Sequence, residues 1–316
     1  MKPLVLSAMP LTETLRNRLE GPCDLLILPP GTTAATLPSR ARDARVLITL
    51  GGLHTDAAML AELPGLGLVH CYGTGFDGVD QAAARDAGIV VTHAGDANAT
   101  AVAEFALGLV LASSRMILQG DRLIREGRWL DLKLDRVPMA PGLAGRRLGI
   151  FGMGVIGMKI ASRATAFEME VGYHNRRRRD GLPYAYHESL AELAAWSDVL
   201  VVAVRASGET RHAVDASVLA ALGARGVLVN ISRGSVVDEA ALCDALQSGA
   251  VAAAALDVFE QEPHSPGRLT AAPNTVLTPH MAALTSAAQG AQQQLVLENV
   301  TAFLAGRPVR CRIPGF

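Results

Sequence analysis

One glycine-rich loop and three side chains carry the chemistry open to this chain. Gly152-Met153-Gly154-Val155-Ile156-Gly157 has the G-x-G-x-x-G spacing, follows the apolar run Leu148–Phe151 and opens a helical pattern. Glycines there let the backbone turn tightly and approach a pyrophosphate, and a helix N-terminus presents oriented N–H groups to it. Arg233, Glu262 and His280 come later, each just after a short apolar run. An arginine can clamp a carboxylate through two parallel hydrogen bonds. A carboxylate beside a histidine favours its charged form, and an imidazolium is a general acid. Taken singly, Arg233 fits a strand cap, Glu262 an exposed loop acid and His280 a buried structural histidine. In an open parallel sheet, however, ligands sit beyond the carboxyl ends of the strands, so the four features would converge on one crevice. That convergence points to an enzyme using a dinucleotide.

The strand after the loop ends in Tyr173-His174-Asn175-Arg176-Arg177-Arg178-Arg179, with Asp180 only after four arginines. A carboxylate at this strand end would bind the ribose hydroxyls of NAD. Asn175 with Arg176 or Arg177 suits a 2′-phosphate instead, through the guanidinium fork. NADPH is therefore the expected cofactor, with NADH possible; a solvated basic loop is the plainer alternative. Gly73-Thr74-Gly75 follows another apolar run and is either an anion-binding nest of N–H groups or an ordinary tight turn.

The elements that must position these residues can be read from apolar periodicity. Strands are expected at Leu148–Phe151, Glu170–His174, Val199–Val204, Val227–Ile231, Ala253–Val258 and Thr275–Leu277. Helical patterns lie between them at Gly157–Ala166, Ser189–Trp196, Ala216–Leu222 and Asp238–Ser248, the last with Asp238 as N-cap and Gly249 as stop. Strands alternating with helices give a parallel sheet covered on both faces. Six strands with the cradle after the first match a Rossmann-type, doubly wound topology. The first ninety residues alternate on a smaller scale, with strands at Leu4–Leu6, Leu25–Leu28, Val46–Leu50, Leu68–Cys71 and Ile89–Val91 and helices at Thr12–Leu19, Thr55–Leu63 and Val79–Ala87. Ala97–Leu118 reads as one long interdomain helix. Ala287–Leu304 reads as a helix returning to the first unit, and Asp131–Gly145, with two prolines, as the least ordered stretch. The fold class is thus α/β in two domains: a doubly wound sheet over residues 98–285, inserted in a smaller flavodoxin-like α/β substrate domain of residues 1–97 plus 286–316.

Bulk properties narrow the function. Half of the 316 residues are hydrophobic, which permits a large core, and the formal net charge is −1, which removes the electrostatic footprint of a nucleic-acid binder. Lys2, Lys133 and Lys159 are the only lysines. Cys23, Cys71, Cys243 and Cys311 are scattered without zinc spacing, as in a reduced, cytoplasmic protein. The N-terminal run is too short and proline-broken for a signal peptide, and the most apolar segment, Ala101–Ser114, is too short to span a bilayer and contains Glu104. His54, His70, His93, His174, His187, His212 and His264 show no ligand spacing, so no metal is expected. No G-x-S-x-G elbow supports acyl transfer.

Leu143–Gly157, Val229–Gly234, Leu256–Pro263 and Thr278-Pro279-His280 followed by Thr285 together resemble the D-isomer-specific 2-hydroxyacid dehydrogenases. Gly73–Asp77 and Val102–Glu104 are weaker matches, and Asn175-Arg176 makes the chain most similar to the NADPH-dependent glyoxylate and hydroxypyruvate reductases. The resemblance implies hydride transfer to C2 of a small 2-oxo acid, with His280 as proton donor, Glu262 orienting it and Arg233 binding the carboxylate. It further implies carboxylate contacts from Thr74 and Gly75, pyrophosphate contacts from Gly154, Val155 and Ile156, and a lining of adenine and nicotinamide by Val204, Ile231 and Asp257. A homodimer formed through the nucleotide domains is implied too, with Ala101–Ser114 at the interface. Two departures stand out: Val204-Arg205-Ala206-Ser207-Gly208-Glu209-Thr210 lacks the usual proline, and Met281-Ala282-Ala283-Leu284 is bulkier than the usual run after the histidine. The second keeps open a competing reading, an NAD(P)-binding sensor on the same fold without turnover. A formate-type dehydrogenase would want an amide where Glu262 stands.

Overall fold

The computed structural model describes residues 2–131, 139–263 and 267–316. Lys133, His264 and residues 132–138 of the stretch expected to be least ordered lie outside the described residues. The chain forms two compact units, Met1–Asn98 with Thr285–Phe316, and Ala99–Leu284.

The first unit holds five parallel strands: β1 (Leu4–Ser7), β2 (Asp24–Ile27), β3 (Ala44–Thr49), β4 (Leu68–Cys71) and β5 (Val90–Thr92), in the order β2-β1-β3-β4-β5. That is the flavodoxin-like order. Its central strands read as near-continuous apolar runs because both faces are covered. Helices start where a side chain can take up a free N–H: Thr12 accepts from Leu15, Asp56 from Met59 and Asp80 from Ala83. The last helix, Ser286–Leu304, is capped by Thr285 and packs on β3 and β4, burying Val296 and Val300 against Ile48 and Leu68.

The second unit holds β6 (Arg147–Phe151), β7 (Glu170–His174), β8 (Ala185–Tyr186), β9 (Val199–Val202), β10 (Val227–Asn230), β11 (Ala253–Leu256) and β12 (Thr275–Leu277). All are parallel, in the order β12-β11-β10-β9-β6-β7-β8. This is the Rossmann winding with one further edge strand. The sequence reading had six strands; the two-residue β8 is too short and too exposed to leave an apolar run. Side chains alternate between the two faces, as strand geometry requires. Ile150, Val201 and Val229 enter one core, while Phe151, Val202 and Leu228 enter the other.

Register sets up the site. Phe151, Val202, Asn230 and Leu256 are successive partners across the sheet, with His174 beside Phe151 and Leu277 beside Leu256. The strands therefore finish level, and Gly152, Asn175, Ala203, Ile231, Asp257 and Thr278 begin the loops along one edge. β9, β10 and β11 end one or two residues before their apolar runs do, because those last residues are already turning out of the sheet.

The expected long helix is in fact two. Ala99–Ser114 lies wholly within the second unit and packs on the helix Val155–Ala166 and on β10, β11 and β12. It buries Val102, Ala106 and Val110 in the same core as Ile150. Met116, with φ 54°, breaks the run, and Ile117–Arg125 forms a second helix. Apolar continuity concealed the break: Ile117 and Leu118 extend the pattern but stay exposed. No single helix among the described residues is long and apolar enough to cross a membrane.

Candidate active site

The three glycines of the cradle answer to different constraints. Gly152 has φ 106°, and a Cβ there would stand 2.5 Å from the Val204 Cα. A Cβ at Gly157 would stand 2.3 Å from the Gly152 carbonyl oxygen. Both are required by the fold itself. Gly154, at the N-cap of Val155–Ala166, has an ordinary φ of −83°, and a Cβ there would meet nothing within 4 Å. Its missing side chain leaves open space in front of a helix end. The first intrahelical bond runs from the Met158 N–H to the Gly154 carbonyl (2.9 Å), so the N–H groups of Val155, Ile156 and Gly157 precede it. The arrangement fits a bound pyrophosphate.

The loop after β7 holds this cradle in place. Asn175, read from sequence as a phosphate ligand, uses its Oδ1 to accept the Met153 N–H (2.7 Å). Arg179, which the sequence reading did not single out, donates to the Met153 carbonyl (2.6 Å), and its own N–H donates to the Tyr173 hydroxyl (3.0 Å). Arg178 lies over the Tyr186 ring, and Arg176 pairs with Glu209 at 3.2 Å. Arg177 is exposed. Nothing in a run of four arginines distinguishes these tasks in sequence.

At the other half of the edge, His280 Nδ1 and Glu262 Oε2 are 2.6 Å apart. Glu262 Oε1 accepts the Phe259 N–H (3.0 Å). Burial alone would raise the Glu262 carboxyl. The hydrogen bonds from His280 and Phe259, with the charges of His280 and Arg233, outweigh it and hold the group below its usual value. Arg233 stands at the turn after β10, where Asn230 Nδ2 donates to the Arg233 carbonyl (2.9 Å). Gly234 keeps this turn against the loop that leads to Glu262: a Cβ would sit 1.8 Å from the Phe259 carbonyl carbon. His212 ties the same two loops from outside, its N–H on the Ser235 carbonyl (2.8 Å) and its Nε2 paired with Glu260.

Asp257 does something the resemblance did not imply. It is 1 % exposed, and its carboxylate accepts from Thr278 Oγ1 (2.7 Å), the Met281 N–H (2.9 Å) and the Ala282 N–H (2.9 Å). Its backbone carbonyl accepts the His280 N–H (2.8 Å). His280 has φ 50°, a left-handed conformation that costs a non-glycine residue free energy, and Asp257 holds the turn that imposes it. Ile231 is buried, and the Val204 backbone lies against Gly152.

In the first unit, Thr74 Oγ1 donates to Asn98 Oδ1 (2.6 Å), and Gln292, 2 % exposed, donates to the Tyr72 carbonyl (3.0 Å). Gly51 admits no side chain, since a Cβ would stand 1.6 Å from the Gly75 carbonyl oxygen. The Gly73–Gly75 turn is thus fixed from several sides. Among the described residues, no group of three or more His, Cys, Asp or Glu is placed to hold a metal ion.

A doubly wound sheet whose carboxyl edge carries both a phosphate cradle and a carboxylate-bound imidazole is built for nicotinamide-dependent oxidoreduction. Comparison with known proteins narrows that class. Residues 107–282 match the family described as D-isomer specific 2-hydroxyacid dehydrogenase, NAD binding domain. The chain is 38 % identical over 304 residues to glyoxylate/hydroxypyruvate reductase A of Arabidopsis thaliana, covering 96 % of each. It is 37 % identical over 273 residues to hydroxyphenylpyruvate reductase of Plectranthus scutellarioides, covering 86 % of each. Among solved structures, the NADPH-dependent glyoxylate/hydroxypyruvate reductase of Sinorhizobium meliloti, in complex with NADP and malonate, superposes with a TM-score of 0.93 at 36 % identity, over 99 % of this chain and 97 % of that one. The chain belongs to the D-isomer specific 2-hydroxyacid dehydrogenases.

Proposed function

We propose that this protein reduces a small 2-oxo acid, with glyoxylate or hydroxypyruvate favoured, to the D-2-hydroxy acid, using NADPH and accepting NADH. The His280–Glu262 pair at 2.6 Å, on the same sheet edge as the glycine cradle, carries the reading. Gly152, Gly154 and Gly157, with the N–H groups of Val155 and Ile156, hold the pyrophosphate; Val204, Ile231 and Asp257 border the rest of the cofactor, and Arg176 and Arg177 meet its 2′-phosphate. Bound nicotinamide supplies the hydride that reduces C2.

The residues of the chain supply the remainder. Glu262 engages Nδ1 of His280, so Nε2 is the atom that delivers a proton to the carbonyl oxygen. Hydride at C2 and a proton at oxygen complete the alcohol. Arg233 clamps the substrate carboxylate and favours the charge that develops on the carbonyl oxygen. In the first unit, Thr74 and Gly75 are assigned a carboxylate-binding turn. The side chain of the acid is left undetermined by these contacts, in keeping with relatives named for acids as different as glyoxylate and hydroxyphenylpyruvate.

A homodimer is the expected assembly, supported by the exposed apolar set Ile117, Leu118, Ile124 and Trp129 in and just after the second helix of the broken pair. The four scattered cysteines support a cytoplasmic site, which cell fractionation checks.

Initial rates with glyoxylate, hydroxypyruvate and pyruvate, each with NADPH and NADH, test the reaction. Turnover with one of the acids, abolished in His280→Ala while NADPH still binds, is the expected result. Near-full activity of His280→Ala would refute the mechanism. Tight NADPH binding without turnover on any 2-oxo acid would leave the sensor reading in its place.

A further inference from the structure

We propose that Glu209 sets the NADPH-to-NADH preference of this chain by competing with the cofactor's 2′-phosphate for Arg176. The inference rests on the NADPH reading above and goes beyond it in naming an opposing residue.

The four arginines after β7 are not equivalent. Arg179 is committed to the Met153 carbonyl, and Asn175 to the Met153 N–H. Together they clamp one peptide unit of the cradle from both sides, which serves any dinucleotide. Arg178 lies on the Tyr186 ring. Arg176 and Arg177 remain exposed, and Arg176 meets Glu209 at 3.2 Å.

The topology explains why this carboxylate can reach that arginine. β6 lies between β7 and β9 in the sheet. The loops after β7 and after β9 therefore flank the glycine cradle after β6, one on each side. Glu209 sits in the turn Gly208–Thr210 beyond β9. That turn is closed by the Ser207 N–H on Thr210 Oγ1 (2.8 Å) and by the Thr210 hydroxyl on the Arg205 carbonyl (3.1 Å). Glu209 is thus presented from a braced position opposite the strand end that discriminates the two cofactors.

Side-chain exposures of 81 % for Arg176 and 75 % for Glu209 make the pair weak, so a phosphate can displace it. The displaced carboxylate then stands close to a group of charge near −2 and repels it. A ribose hydroxyl carries no such charge and is not repelled. Losing the pair and relieving the repulsion should together be worth about three- to tenfold in NADPH affinity, and nothing for NADH.

The test is calorimetric titration of wild type, Glu209→Gln, Arg176→Ala, Arg179→Ala and the Glu209→Gln/Arg176→Ala double variant with NADP+, NAD+ and 2′,5′-ADP. Glu209→Gln is expected to tighten NADP+ and 2′,5′-ADP by about three- to tenfold and to leave NAD+ within twofold. The gain should vanish in the double variant. Arg179→Ala should weaken NADP+ and NAD+ by the same factor. No gain in Glu209→Gln, or an equal gain for NAD+, or a gain that survives without Arg176, would overturn the proposal alone. Arg176→Ala with no effect on NADP+ or 2′,5′-ADP would overturn the NADPH assignment and this proposal with it.

Discussion

Replacing Asp257 with Asn changes one atom of a buried carboxylate and tests how His280 is held. The carboxylate accepts three hydrogen bonds at 2.7–2.9 Å and is 1 % exposed. An amide retains one accepting oxygen. If its NH2 faces Ala282, that N–H is orphaned; if it faces Thr278 and Met281, the Thr278 hydroxyl can turn and accept it, but the Met281 N–H is orphaned. A hydrogen bond to a charged acceptor contributes about 1.5–3 kcal/mol, and an orphaned buried donor costs about 1–3 kcal/mol. The exchange should therefore cost about 3–5 kcal/mol in total. If the turn keeps its shape, the loss appears as stability, at about 2–4 °C per kcal/mol for a unit of this size, or about 10 °C in Tm. If the turn yields, His280 leaves its left-handed conformation, and each 1.4 kcal/mol or so of lost transition-state positioning lowers kcat about tenfold. Thermal unfolding and steady-state kinetics on the same preparation measure both. The expected variant has a lower Tm and kcat reduced by at least about tenfold, with KM for the oxo acid less affected. A variant within 2 °C or so of wild-type Tm and within about twofold of its kcat would show that the carboxylate does not hold this turn.

Gly152→Ala and Gly154→Ala should separate fold from ligand. The first forces a Cβ to 2.5 Å from backbone at φ 106° and should lower Tm; the second meets nothing within 4 Å and should leave Tm alone while weakening NADP+ and NAD+ alike. Equal thermal stability of the two variants would contradict that division. His70 is fully buried, hydrogen-bonded to Thr92 and within reach of Asn299, and burial, with the charge of His93, pushes its pKa down from 6.5 to about 3. The unfolded chain takes up this proton and the native chain does not. Stability should therefore be full above pH 6.5 and fall by about 1.4 kcal/mol per pH unit between 6.5 and about 3. Denaturant titrations at several pH values should show His70→Gln with a shallower acid slope, and an unchanged slope would assign the loss to other groups. Ile124→Glu, at a 54 % exposed position, should leave the monomer folded and shift sedimentation towards it; a dimer of unchanged strength would move the interface elsewhere.

Much of the fold was legible because its signals are local. A parallel sheet covered on both faces leaves runs such as Val199-Leu200-Val201-Val202, and caps such as Asp238 and Gly249 mark a helix by backbone chemistry alone. The two-residue β8 and the break at Met116 left no such mark, since neither changes apolar periodicity. In the candidate site, residue type and spacing were enough to pick out Arg233, Glu262, His280 and the glycine loop, because each stands where a strand runs out. What supports them could not be read that way. Gly234, His212 and Asp257 work through residues brought near by winding the sheet. Arg179 differs from its three neighbours only in having the Met153 carbonyl within reach. Charge, capping and periodicity are properties of a segment and were settled by the sequence itself. Which donor meets which acceptor across tens of residues depends on strand order and register, and only the tertiary structure decided it.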